Sequence, residues 1–392
     1  MFGRGIPKVH GSRNYSFTIA ETVEQVEALR NVWEPMQSQP NADIDVYLTV
    51  ALSMREFLRP HVVVLSKNGC PKTLLIGRIE QTKASFCHGV KTPWDPPVRV
   101  LKVVYGGLLG DQSSDTLQVL FSHLLNALRA SEADALFFNH LALGSPIYQV
   151  AKTKPSLLIR DYTSEAHYHW TMTVPSTHDD FLKRTTANHR YWLRRFEKML
   201  ERDACNQVRL KAFRTEEEVT QFCSDCEEIA SKTYQRSMGI GFLNDNLNGN
   251  RLRLAAKRGW LRGYVLYAGR QPIAFWTGNV YQGSLYLDFT GYDPSFKQYR
   301  PGTLAFIKMV DHCVGEGIQK IDFGFGDSSF KRQFGTHHWT ESSVLVLAPT
   351  LQGVLSNVLR TGFGGLSHLL KSGAGHLNLT DKLKKYWRHR LA

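Results

Sequence analysis

Two tandem α/β (α+β) domains, each a mixed and mainly antiparallel sheet flanked by helices, are the fold this sequence predicts. Three observations carry that reading. A chain of 392 residues with 42% hydrophobic content has material for two cores of ordinary size. The same order of elements, hairpin, strand, helix, strand, occurs once in each half. No segment reaches the run of about 18 apolar residues that a spanning helix needs; 351–370 comes nearest, broken by Arg360 and several glycines.

In the first half, apolar runs at 61–65 and 73–79 flank Lys67-Asn68-Gly69, a hairpin signal, and 98–105 gives the next strand. A helix follows from about Asp115 through Leu117, Leu120, Leu124 and Leu128, and 135–138 is the strand after it. In the second half, 261–267 and 273–280 flank Gly269-Arg270. There 284–289 alternates polar and apolar residues as a half-buried strand does, and Asp293-Pro294 closes it. Leu304, Phe306, Ile307, Met309, Val310 and Val314 then keep helical spacing from Thr303 until Gly315 and Gly317. The last strand runs into Asp322-Phe323-Gly324-Phe325-Gly326.

Between the halves, 170–174 reads as a strand, 179–202 as one helix, and 215–234 as another with an acidic start. The predicted domains are therefore 1–165 and 166–349, with a basic amphipathic tail over 350–392.

A formal charge of +13 favours acidic partners: nucleotides, RNA, anionic headgroups or an acidic carrier protein. Six scattered cysteines and an opening without a charged-then-apolar leader suggest neither a disulfide framework nor an export signal, so a cytoplasmic protein is expected. Cys223 and Cys226 have half the spacing of a zinc site, but they fall in a helical pattern and no second pair completes it; no metal is expected. The Asp322-Phe323-Gly324 triplet lacks the His-Arg-Asp and glycine loops of a kinase.

The two halves differ most at the turn that opens the helix. In the first it is Gly106-Gly107-Leu108-Leu109-Gly110-Asp111, without a basic residue; in the second it is Lys297-Gln298-Tyr299-Arg300-Pro301-Gly302. A helix N-terminus carries unpaired N–H groups and partial positive charge, so Lys297, Gln298, Arg300, Gly302 and Thr303 form a candidate anion site fit for a pyrophosphate. The first half then serves as a scaffold or as a wall of an acceptor site.

Four features resemble the GNAT acyltransferase superfamily, in the divergent branch of the CelD/BcsL type and, more distantly, the Fem-type aminoacyl transferases. They are the basic helix Asn188-His189-Arg190-Tyr191-Trp192-Leu193-Arg194-Arg195, the Pro301-Gly302 entrance, the Gly315 to Gly317 exit, and Asp322-Phe323-Gly324-x-Gly326-Asp327 leading to Phe330-Lys331. The resemblance covers 181–334 by motif and the first half by element order. It implies an acetyl-CoA or other acyl-CoA donor bound between two splayed strands, and an amine or hydroxyl acceptor. The turn departs from the superfamily's Gln/Arg-x-x-Gly-x-Gly/Ala, having one glycine and a proline, so either Lys297 and Arg300 offset the missing backbone donors or the donor is something other than coenzyme A.

Acyl transfer needs a base for the acceptor, a stabiliser of the oxyanion and a proton for the thiolate, and no covalent nucleophile. Asp322, where a strand emerges beside the helix, is the candidate base or else a structural carboxylate; Lys331 is the candidate acceptor or oxyanion ligand or else a surface lysine. Tyr286 is either the proton donor or a sheet residue, and Asp288 shares its face. Arg190 and Arg194, four apart, either guide an acidic substrate or form a solvated face. In the 382–390 tail, charge is mixed with Tyr386 and Trp387, as in tails that bind membrane surfaces or RNA, and also in soluble tails. The readings that follow are an acyl-CoA-dependent N- or O-acyltransferase of envelope or polysaccharide assembly, a Fem-type transferase using charged tRNA, and a non-catalytic module held to a synthase complex at the membrane's inner face.

Overall fold

The computed structural model describes residues 8–12, 14–88, 95–237, 239 and 241–376. They form two compact units: the described residues of 340–376 group with those up to His167, and those of Tyr168–Trp339 form the second unit. Segment 340–349, counted above with the second domain, thus lies in the first unit. The basic 382–390 segment falls outside the described residues.

The first unit is built on strands β1 (Lys8–Ser12), β2 (Tyr15–Ala20), β3 (Phe57–Lys67), β4 (Cys70–Lys83), β5 (Pro97–Gly110) and β6 (Ala135–Ala142). Neighbours pair antiparallel except β5 and β6, which run parallel from Val100↔Ala135 to Val103↔Phe138. Asn68 and Gly69, both left-handed (φ 52° and 79°), close the β3–β4 hairpin in two residues, as its sequence predicts. Along β3, Val63 and Leu65 face the Ser114–Arg129 helix while Val62 and Val64 pack with Trp33 and Tyr47 on the other side. Because both faces are covered, the strand reads as an apolar run.

The second unit uses β7 (Ala166–Thr173), β8 (Val208–Phe213), β9 (Leu261–Ala268), β10 (Gln271–Tyr281), β11 (Ser284–Tyr292) and β12 (Lys320–Phe325), in the order β7-β12-β11-β10-β9-β8. Only β11 and β12 are parallel. The Pro301–Gly315 helix links them, and its Leu304, Phe306, Met309 and Val310 bury against Leu285 and Ile321. The opposite face is covered by the Val219–Ala230 and Asn246–Lys257 helices through Phe222, Leu252 and Phe275. A final strand, β13 (His337–Leu347), returns the chain to the first unit, where Glu341–Leu347 pairs antiparallel with β6. Each parallel pair is thereby bordered by an antiparallel strand distant in sequence, β13 beside β6 and β7 beside β12.

The predicted 179–202 helix is two helices, His178–Lys183 and Ala187–Asp203. Thr186 is the reason: its backbone is extended and its hydroxyl accepts from the N–H of His189 (3.2 Å), which starts a new helix. The 215–234 helix is shorter than its pattern, Val219–Ala230, and the Asn246–Lys257 helix and β8 were not evident from periodicity. Among the described residues, no helix is long and apolar enough to cross a membrane.

Candidate active site

Parallel pairing between β11 and β12 stops at Tyr286↔Asp322, yet both strands continue. Beyond that point β11 stays with β10 as far as Tyr292, and β12 stays with β7 as far as Phe325. Two strands that leave each other while still bonded to opposite neighbours must open a cleft. A cavity of about 770 Å³ lies there, walled by β11 from Leu287 to Tyr292 and by Phe323, Gly324 and Phe325. Trp276, Phe323 and Phe330 give it an aromatic floor, and Trp276 is tied by its indole N–H to the carbonyl of Gly302 (3.0 Å).

One end of the cavity is the entrance of the Pro301–Gly315 helix. Lys297, Arg300, Gly302 and Thr303 line it; Gln298, in the turn Pro294–Tyr299, does not. No side chain caps this helix. Arg300 occupies its N-cap in a left-handed conformation (φ 50°, ψ 51°) that costs a residue with a side chain roughly 1–2 kcal/mol. Its guanidinium lies 5.4 Å from the centre of the Phe196 ring. Lys297 and Arg300 are exposed, and because Pro301 has no N–H while those of Thr303 and Leu304 donate to the Arg300 carbonyl (3.0 and 3.2 Å), the entrance presents two cations and the N–H of Gly302 on one side of an apolar cleft.

Lys331 also lines the cavity, from the short Ser329–Phe334 helix capped by Ser328. Its ammonium donates to the carbonyls of Gly324 (3.1 Å) and Phe325 (2.6 Å). Burial lowers its pKa to about 8, against the opposing pull of Asp322 and Asp327. A lysine in that range exchanges its proton near neutral pH.

Asp322 and Tyr286 do not line the cavity. The buried Asp322 carboxylate is engaged by His169 Nε2 (2.7 Å) and by the N–H of Gly324 (2.8 Å). His169 is buried on β7 and stacks on Trp339, ring centres 4.3 Å apart. This explains the Asp-Phe-Gly-Phe-Gly motif: the carboxylate fixes a bulge against β7, and Gly324 and Gly326, with φ 68° and 92°, turn the chain where other residues strain. Tyr286 has its pKa raised by burial and then by Asp322. Asp288 reaches the cavity rim, held by Asn279 (3.0 Å) with Arg251 3.7 Å away.

Arg190 and Arg194 line a different hollow, of about 150 Å³, with Glu197 and Lys308. Arg190 donates to the carbonyls of Leu182 (3.3 Å) and Thr185, so it closes the end of the preceding helix. Sequence reasoning missed His169, Trp276 and Phe330; the register of β7 on β12 is the signal for His169, and it is tertiary. One group of described residues has metal-ligand spacing, Glu21, His61 and Glu132 in the first unit. The Arg59 guanidinium bonds both carboxylates there (3.0 and 2.9 Å), so the cluster already holds a cation.

Residues 187–332 match the acetyltransferase (GNAT) domain family. The GNAT match spans the basic helix, the splayed pair, the helix entrance and Lys331. No curated protein matches the sequence significantly. Among solved structures, FemX aligns at 10% identity and TM-score 0.53, over 81% of this chain and 95% of FemX. A tandem GNAT protein from the clavulanic acid biosynthesis pathway aligns at 10% identity and TM-score 0.49, over 86% of this chain and 99% of that one. L-PGS from Bacillus licheniformis aligns at 12% identity and TM-score 0.48, over 86% and 96%. The FemX likeness establishes a shared fold; identities this low say nothing of substrates.

Proposed function

We propose that the second unit is an acyl-CoA-dependent acyltransferase that moves an acyl group from the thioester to an amine or hydroxyl acceptor. The observation that carries this is the cleft itself: a cavity of about 770 Å³ with an aromatic floor, an uncapped helix N-terminus flanked by Lys297 and Arg300 at one end, and Lys331 in its lining. The helix entrance and the two cations take the pyrophosphate, and the cleft takes the pantetheine arm and acyl group. Cation side chains offset the backbone donors that the Pro301 turn lacks.

In this reading neutral Lys331 accepts the proton of the acceptor as its nitrogen or oxygen attacks the thioester carbonyl. The C–S bond then breaks, and the ammonium so formed returns a proton to the departing thiolate. Asp322 is a positioning residue: clamped by His169, it holds the Gly324 turn whose carbonyl receives Lys331. Tyr286 is not among the residues lining the cavity, so in this reading the proton-donor role passes to Lys331.

An acceptor in polysaccharide or envelope assembly remains the finer expectation from the CelD/BcsL resemblance. Aminoacyl-tRNA as donor is the second reading, favoured by the exposed Arg194, Arg195, Lys198 and Arg202 on the Ala187–Asp203 helix. A non-catalytic module is the third.

Coenzyme A and acetyl-CoA should raise the melting temperature of the wild-type chain, with about 2.7 kcal/mol of added stability at a hundredfold excess over Kd. Lys297→Glu with Arg300→Glu should abolish that gain. No shift in the wild type at millimolar ligand sinks the donor assignment. Binding of tRNA that weakens steeply with salt, in the same chain, would instead select the second reading.

A further inference from the structure

The Leu351–His376 helix of the first unit has its polarity reversed. A helix lying on a protein normally turns its apolar stripe inward and its polar side to water. Here, apart from Val354, which packs against the core of the first unit, the inward side is small and polar. Asn357 is buried and donates to the carbonyls of Leu158 and Arg160 (3.0 Å each); Arg360 reaches Thr163 Oγ1 (2.7 Å) and the carbonyls of Phe86 and Cys87. Gly353 and Gly364 sit on the same side, where an added Cβ would meet Ala348 O at 2.1 Å and Thr163 Cγ2 at 2.7 Å.

The outward side is apolar. Leu351, Leu355, Val358, Leu359 and Phe363 are 78%, 55%, 63%, 50% and 46% exposed, and their spacing sets them along one stripe. In sequence the spacing continues at Leu366, Leu369 and Leu370. Beside the helix, Leu157 and Leu158 are also exposed, at 68% and 64%. A contiguous apolar surface of this kind needs a partner, because leaving it in water forgoes about 25 cal/mol per Å².

Charge decides what the partner is. The 26-residue helix, about 39 Å long by its rise per residue, contains no Asp or Glu, while Arg360 and Lys371 lie within it. Six residues beyond its end, the chain continues with Lys382, Lys384, Lys385, Arg388 and Arg390 interleaved with Tyr386 and Trp387. Pairing two such helices would bring these like charges and two chains of +13 together. An anionic lipid surface accepts both the leucine stripe and the basic residues, and the helix is too mixed in hydropathy to span instead.

We infer that the outward stripe Leu351/Leu355/Val358/Leu359/Phe363 docks this chain in the plane of an anionic bilayer surface. The inference is independent of the transferase reading, since no residue of the cleft takes part. The test is co-sedimentation of the full chain with phosphatidylcholine vesicles, with and without phosphatidylglycerol, alongside sedimentation velocity without lipid. Wild type should bind the phosphatidylglycerol vesicles and scarcely the neutral ones, with binding weakened by salt. Leu355→Glu should reduce binding about tenfold or more, whereas Thr361→Glu, the same charge change off the stripe, should have a much smaller effect. Both sites are exposed, and unchanged circular dichroism shows the fold is intact. Absence of wild-type binding, equal effects of the two variants, or a wild-type dimer that Leu355→Glu makes monomeric would each overturn the inference.

Discussion

Both units contain the same device and only one makes a roomy cleft of it. In the first, β5 and β6 part after Val103↔Phe138; in the second, β11 and β12 part after Tyr286↔Asp322. The hollow beyond the first parting measures about 190 Å³, against about 770 Å³ beyond the second. Two residues account for much of the contrast. Gln39 lies directly over Gly106, so closely that a Cβ there would fall 1.2 Å from its Nε2, and its side chain lines the hollow. Asp111 accepts from Ser113 N–H and Oγ (2.9 Å each) and from Thr116 Oγ1 (2.8 Å), which hold its pKa below the usual carboxylate range. The first helix entrance is thus occupied by an internal anion. At the second, Arg300 stands in the N-cap position with no anion of the chain's own. A shared topology supplies the gap, and a handful of turn residues decides whether it is filled from inside or open to a ligand.

The largest effect that sharpens this contrast belongs to Lys331. Lys331→Met should lower turnover by about 10²–10⁴-fold while coenzyme A still protects against heat, which steady-state rates and melting curves on one preparation will show. Full activity in that variant would remove Lys331 from the chemistry. Asp322→Asn should keep coenzyme A protection and lose most turnover, at a stability cost of about 1.5–3 kcal/mol for weakening a charged hydrogen-bond pair, read from denaturant midpoints.

The pH dependence follows from the depressed pKa of Lys331, about 8 in the fold. As the base it must be neutral, so kcat/KM should fall about tenfold per pH unit below that value and level off above it. Stability has its own sign. Between about 8 and the ordinary lysine value of 10.5 the unfolded chain binds the extra proton, so stability rises with pH across that window. Lys331→Met should flatten that rise, a check independent of turnover. The smallest effect is on the other unit: Asp111→Ala, which loses the hydrogen bonds from Ser113 and Thr116, should lower the melting temperature only slightly and leave coenzyme A protection unchanged. Loss of protection there would place donor binding at the wrong helix.

Local chemistry made several parts of the fold legible. Asn68-Gly69 marks a hairpin because left-handed backbone at two successive positions is cheap for these residues, and the apolar spacing from Leu304 to Val314 marks the helix over the cleft. The Asp322-to-Gly326 motif was legible as the run-out of the last strand, but not which way its carboxylate points. His169 arrives there only through antiparallel pairing of strands 153 positions apart, and no local spacing encodes that. The split at Thr186 was hidden because a threonine pair inside a helical pattern reads the same whether it caps or continues the helix.

By itself the sequence determined the element types, the repeated order of strand, helix and strand, and the basic turn from Lys297 to Gly302, since each depends on neighbours a few residues apart. Tertiary structure alone decided where the parallel strands part, that Lys331 faces the cleft and loses basicity while Asp322 turns away to His169, and that β13 returns to the first unit. Those outcomes rest on burial and on pairings between distant segments, which no window of sequence contains.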